Sequence, residues 1–279
     1  MSVVRIGVAL ALTLLAWVGV LVTVPSMWLS RNVVDESGYV SLARSAGADD
    51  HVRAAMTGDL TGITLGLAAR QNVSVPAPLV RQAVAVYTRS DRFPDDFAAA
   101  NRAGHRWLFT DKVSGREVDG EWVIDVAPML RSLDLRLIPI AVPDTVQIRI
   151  GDEYRAVSPG YLHERGQWVT RISWIALAVS IVAGIGVVVL VRARLLALAA
   201  LGCAVLLDAG ILWVAARAGK NIATDHVDNG LPGVQATVRA AIEVIYQSVM
   251  TSVAITAIVG AVIALACGGA HLYSSRDSS

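Results

Sequence analysis

Apolar residues concentrate in four long runs, residues 3–24, 172–191, 195–216 and 248–270, with mixed sequence between them. Each run is close to the ~20 residues that carry an α-helix across a bilayer core at ~1.5 Å per residue. The pattern therefore predicts four transmembrane helices. Between the first two runs the period shortens to that of half-buried elements. "DDHVRAAMTGDLTGITLGLAAR" puts Val52, Met56, Leu60, Ile63 and Leu67 on one helical face, with Asp49 or Asp50 as cap. In the same helix Gly58, Gly62 and Gly66 recur every fourth residue, a groove suited to close packing of another helix despite the cost of glycine to helix stability. A second helix is expected after "VPAP", burying Leu79, Ala83, Val86 and Tyr87, since proline suits a first turn. A third is expected over residues 95–109.

The pattern then changes. "EWVIDV" reads as a short strand, and "TVQIRI" alternates with Val146, Ile148 and Ile150 on one side. Pro128, Pro139 and Pro143 punctuate the region. The expectation is a membrane α-helical protein of four transmembrane helices carrying a helix-rich α+β extracytoplasmic domain with a small sheet. Its divisions are 1–24 (first span, a signal anchor), 25–171 (outer domain), 172–191 and 195–216 (second and third spans), 217–247 (outer loop and helix extension), 248–270 (fourth span) and 271–279 (tail).

Composition agrees with this picture. The chain has 279 residues, 54% of them hydrophobic, and a mean hydropathy of +0.55, too apolar for an ordinary soluble domain. Charge sets the expected orientation, because Arg and Lys are retained on the cytoplasmic side. Arg5, Arg192, Arg194 and Arg276 flank the spans where both termini would be cytoplasmic, giving a multi-pass protein of the plasma membrane. The first span is expected to stay uncleaved, as its run is long for a signal peptide and "VTVPSMW" has no A-x-A site. Residues 25–171 hold 17 basic and 18 acidic residues, a balance that argues against nucleic acid as a partner. Both cysteines, Cys203 and Cys267, lie in spans, so the outer domain must be held by its core without disulfides. The second and fourth spans are expected to continue as helices above the bilayer, and Trp168 and Trp174 suit the outer interface.

No motif announces catalysis. "FPDDFAAANRAGHRW" places Phe97, Asn101 and His105 on one helix face, which makes Asn101 and His105 a candidate outer-domain ligand site. No serine in a strained turn accompanies them, and a His and Asn satisfying local hydrogen bonds is the plainer reading. The histidines lack metal-binding spacing and phosphate-binding glycine motifs are missing, so no metal and no cofactor is expected. "TDHVDNG" gathers carboxylates, a His and an Asn, but without the alternation of a calcium loop, and reads as a polar turn between the third and fourth spans.

The third run carries Asp208 nine residues from Arg217, ~13 Å deep at helical rise and near the bilayer centre. It continues the small-residue row Ala200, Ala204, Asp208. The second span has Ala176, Ser180 and Gly184, and the fourth has Ser252, Thr256, Gly260, Ala264 and Gly268. Ser180 and Thr256 fall at the depth of Asp208, and their hydroxyls are expected to hydrogen-bond it. With no Arg or Lys at that depth, the acid is expected to be neutral. Such an acid either holds helices together, for ~1 kcal/mol, or couples the protein to protons; the first is the simpler expectation.

"VVDESGYVSLARSAGADDHVRAAM", "FPDDFAAANRAGHRW" and "GEWVIDVAPMLRSL" together resemble a group of uncharacterised actinobacterial integral membrane proteins, with one N-terminal span, an extracytoplasmic domain and C-terminal spans. The resemblance covers most of the chain and implies an actinobacterial plasma membrane; it brings no activity. The function expected is a non-enzymatic accessory or assembly subunit whose outer domain binds a protein or cell-envelope ligand, with the bilayer as its other partner. The alternative is a sensor relaying ligand binding through its transmembrane helices to a partner.

Overall fold

The structure, a computed structural model, describes residues 3–110, 123–133, 140–149, 160–191, 193–230 and 234–276. The elements are α1 (Val3–Leu29), a π-turn (Ser30–Val34), α2 (Glu36–Ala48), α3 (Asp50–Arg70), α4 (Ala77–Thr88), α5 (Phe93–Phe109), β1 (Val123–Asp125), α6 (Ala127–Arg131), β2 (Gln147–Arg149), α7 (His163–Leu190), α8 (Arg194–Gly230) and α9 (Gln235–Arg276). They form two compact units. The first comprises Met1–Ser30, Gln167–Gly219 and Gln247–Ser279, and the second Arg31–Gly166 and Lys220–Tyr246.

The first unit is a bundle of α1, α7, α8 and α9, which contain four helical segments long and apolar enough to cross a membrane. The protein is a multi-pass membrane protein. Its interior is built from small residues, including Ala16, Ser173, Ser180, Ala183, Ala197 and Ala209, while Leu10, Val182, Ile258 and Leu265 point outward. That inversion is what lipid demands. Hydrocarbon is as apolar as leucine, so helices associate through close backbone approach. The approach is tightest where α8 meets α9: a Cβ on Gly202 would stand 2.6 Å from the Ala264 nitrogen, and one on Gly260 2.9 Å from the Gly202 oxygen. The row Gly260–Ala264 of the fourth span thus meets α8 at Gly202, rather than at the Ala200–Ala204 row. Pro25 lies inside α1 and cannot donate to the carbonyl four residues back. The helix passes into the π-turn soon afterwards.

The second unit corrects the expectation of an α+β domain. It is helical, and its only strand pairing among the described residues is the antiparallel ribbon of β1 and β2, three residues each, with Ile124 opposite Ile148. A two-stranded ribbon of that size offers no layer on which helices can pack. The strand patterns in "EWVIDV" and "TVQIRI" were too short to distinguish a ribbon from a sheet; Ile150 and Pro139 lie outside the described residues. Asp125 closes the ribbon, its Oδ1 accepting from the backbone N–H groups of Ala127 and Val146 at 2.9 Å each.

The core joins α3, α4, α5 and α6 through Val52, Met56, Leu60, Val80, Val84, Phe93, Phe97, Met129 and Leu130. α3 begins as the sequence implies: the Asp49 side chain accepts from the N–H groups of His51 and Val52. α4 is rotated from the expected face. It buries Val80, Val84 and Tyr87, and leaves Val86 69% exposed. The α3 glycines are exposed, and among the described residues no atom stands within 4 Å of where a Cβ on Gly58, Gly62 or Gly66 would lie, so no described helix fills the expected groove.

α2 was not foreseen. The Asp35 side chain caps it by accepting from Gly38 N–H at 2.9 Å, and a bidentate Glu36–Arg106 pair at 2.7 and 2.9 Å ties it to α5. The guanidinium beside Glu36 holds that carboxyl below its ordinary value of 4.5.

"TDHVDNG" is not a turn. α8 runs through it to Gly230, with Thr224 Oγ1 donating to Lys220 O at 2.9 Å and His226 Nδ1 bonded to Ile222 O at 2.9 Å. The parts of α8 and α9 in the second unit are linked by the Lys220–Glu243 ion pair, and Ala240 and Val244 of α9 pack against its core.

Asp59 on α3 accepts from Thr237 Oγ1 of α9 at 2.5 Å, and burial raises its carboxyl above the ordinary 3.8. The folded state therefore holds the proton to higher pH than the unfolded chain does. Stability should be greatest below the ordinary value and fall as pH rises toward the folded one. Melting curves in mild detergent from ~pH 4 to ~pH 7 should show this decline in the wild type and its loss in Asp59→Asn; parallel profiles would refute it.

Candidate functional site

Two places hold the residues with the strongest claim to chemistry, one in each unit. In the second unit, α5 carries Asn101 and His105 one turn apart, as expected. They are brought close but not bonded to each other. Asn101 Nδ2 donates to Phe97 O at 2.9 Å, and its Oδ1 receives the Tyr39 hydroxyl at 3.4 Å. His105 is 5% exposed. Its ring stacks on Phe109 with centroids 4.6 Å apart and faces Tyr39 at 4.7 Å. Nε2 donates to Val33 O, at 2.9 Å, which leaves Nδ1 as a buried nitrogen without a hydrogen bond. A base so enclosed is not placed to meet a substrate. Burial also raises the Tyr39 hydroxyl above its ordinary 10.0.

The geometry makes His105 a joint between α5, α2 and the π-turn. His105→Ala should cost ~2–4 kcal/mol from the emptied stack and the abandoned Val33 carbonyl. Denaturant titration checks this, and a change below ~0.5 kcal/mol, the level of an ordinary surface substitution, would refute the packing role.

In the first unit, Asp208 is 0% exposed, inward as the sequence implied. Its expected partners are engaged elsewhere. Ser180 Oγ donates to Ala176 O at 2.7 Å, and Thr256 Oγ1 donates to Ser252 O at 2.9 Å. Hydroxyls in helices commonly bond the carbonyl four residues back, and depth matching along the sequence cannot see that competition. Ser180 instead faces α1, where a Cβ on Gly19 would strike its hydroxyl and lie 3.3 Å from Ala176 O.

The polar side chain that acts on Asp208 is Trp17 of α1. Trp17 Nε1, Asp208 Oδ1 and Asp208 Oδ2 are all buried without a hydrogen-bond partner. Sequence reasoning missed Trp17. Its indole sits within an apolar run, where tryptophan away from the interfaces was the available signal.

Within the same unit lies an apolar cavity of about 580 Å³. Its deep end is formed by Leu21 of α1, Ile172 of α7, Leu212 of α8 and Val253 of α9. Leu21 and Leu212 stand four residues beyond Trp17 and Asp208, on the same helix faces. Near the shallow end, Trp28 Nε1 donates to Ser248 Oγ at 3.2 Å.

Among the described residues, no three His, Cys, Asp or Glu side chains group as a metal site. Cys203 and Cys267 are free thiols. Compared with protein-family models, curated proteins and solved structures, the chain matches none.

Proposed function

We propose that this chain is a non-enzymatic accessory or assembly subunit of a bacterial plasma membrane, with both termini cytoplasmic, whose second unit binds a protein or cell-envelope ligand outside. The observation that carries this reading is the sharing of helices: α7, α8 and α9 each supply residues to both units without an interruption. A domain that only needs tethering requires one span. Four spans with a packed, small-residue interior suit a subunit with something to hold within the membrane as well as outside it.

The test is affinity purification of the tagged chain from its native membrane in mild detergent, followed by mass spectrometry. A partner at stoichiometric level is the expected result, and recovery of the chain alone and homogeneous would overturn the reading. The shared helices also favour a second reading, a sensor that relays ligand binding through them. In that case inserting three glycines after Gly219, inside α8, should abolish the downstream response while leaving ligand binding intact.

A further inference from the structure

We propose that two arginine–tryptophan pairs, Arg171 with Trp168 on α7 and Arg217 with Trp213 on α8, are binding points for the phosphate groups of anionic phospholipids. Both pairs stand at the end of the membrane bundle from which the chain passes into the second unit. The Arg171 guanidinium carbon lies 5.8 Å from the centre of the Trp168 ring, and that of Arg217 lies 5.8 Å from the Trp213 ring. All four side chains are exposed, the indoles at 59% and 48%.

Their depth matches the edge of a bilayer. Arg171 is 19 residues from Leu190, the last of α7, and Arg217 is 23 residues from Arg194, the first of α8. At helical rise these separations are ~28 and ~34 Å, against ~30 Å of hydrocarbon. Trp168 and Trp213 fall 22 and 19 residues from the same two ends, so both pairs occupy one band. That band is where amphipathic indoles settle and where long cationic side chains reach the head groups.

Charge selects the partner. Asp208 is the only acid among the described residues of the membrane unit, and it is buried in α8. Among the described residues neither arginine forms an ion pair; Arg171 Nη2 donates only to Gln167 Oε1, at 3.4 Å. Two cations without counter-ions thus face the level of lipid phosphate. A guanidinium offers phosphate a planar fork of donors, and the ring beneath it leaves that fork free at its edge. Phosphatidylcholine brings its own ammonium to the site, whereas the charge of phosphatidylglycerol is uncompensated. A soluble acidic protein would have to carry its carboxylates down to the hydrocarbon boundary, which makes lipid the favoured partner.

The test is native mass spectrometry of the full chain released from nanodiscs of equal phosphatidylglycerol and phosphatidylcholine. Retained lipid should be enriched in phosphatidylglycerol, with each arginine contributing about fivefold. Arg171→Gln and Arg217→Gln should each lower the enrichment about fivefold, and the double variant should retain both lipids equally. Arg81→Gln removes the same charge from an exposed site on α4 and should change nothing. Equal retention by the wild type, or enrichment that survives in the double variant, would overturn the proposal. Excess inorganic phosphate should leave the preference intact; its loss would make the sites takers of free phosphate and overturn the lipid source. An acidic protein that co-purifies with the wild type from native membrane in place of lipid, and is lost from the double variant, would overturn it as well.

Discussion

Gly260→Leu should disrupt the membrane unit, with a loss of about 3 kcal/mol or more. The obstacles to a side chain there are backbone atoms: Gly202 O at 2.9 Å and the Leu206 nitrogen at 3.1 Å. From the other side, a Cβ on Gly202 would meet Ala264 N at 2.6 Å and Gly260 O at 2.8 Å. Flexible side chains can rotate away from an intruder, but two helix backbones have to separate. In hydrocarbon no solvent-exclusion force draws them back, because the separated surfaces are simply covered by lipid. The readout is thermal melting and size-exclusion profile in mild detergent. Gly210→Leu on α8, the partner helix, is the control, since no atom lies within 4 Å of that Cβ position. If both variants melt alike, the α8–α9 contact is not the closure described above.

Phe93→Ala should cost the second unit about 3–5 kcal/mol. The ring is fully buried, meets Tyr87 edge-on at 5.5 Å and 89°, and lies 5.9 Å from Phe97. Truncation removes the apolar burial, leaves a cavity, and forfeits aromatic pairing worth ~0.5–1.5 kcal/mol. Tyr87 would lose its packing partner while its hydroxyl still donates to Asp96 at 2.9 Å. Denaturant titration together with proteolysis of the 31–166 segment checks this. Val86→Ala, at an exposed site one residue from Tyr87, should stay within ~0.5 kcal/mol. A loss in Phe93→Ala no greater than the control's would remove Phe93 from the core.

The four spans were legible because the bilayer imposes a length and a polarity on each helix separately. α3 was legible for a similar reason: its cap at Asp49 and its face of Val52, Met56, Leu60 and Leu67 are properties of one helix. α2 escaped notice because "ESGYVSLARSAGA" buries only Val40 and small residues, Ala43, Ala46 and Gly47, and lacks a broad apolar stripe. Its capping residue Asp35 was the available signal. The face of α4 was misjudged by about one residue, a rotation that composition alone does not resolve when Leu79, Val80, Val84 and Val86 are all apolar. The sheet was overestimated because two short alternating stretches look the same in sequence whether they form a ribbon or part of a layer.

At the candidate sites the division follows the range of the interaction. The sequence by itself determined that an acid sits in the third span, that small residues line the spans, and that Asn101 and His105 share a helix face; all are matters of spacing along one element. Only the tertiary structure decided that Ser180 and Thr256 bond their own helices, that Trp17 is the neighbour of Asp208, that Gly202 rather than Ala200 or Ala204 meets the fourth span, and that His105 is enclosed by Tyr39, Phe109 and Val33 O. The physical reason is that helical period and bilayer thickness act on each segment alone. Which hydroxyl, indole or glycine faces which depends on the rotation of one helix about its axis against another, and small residues at several positions leave that rotation open until the backbones pack.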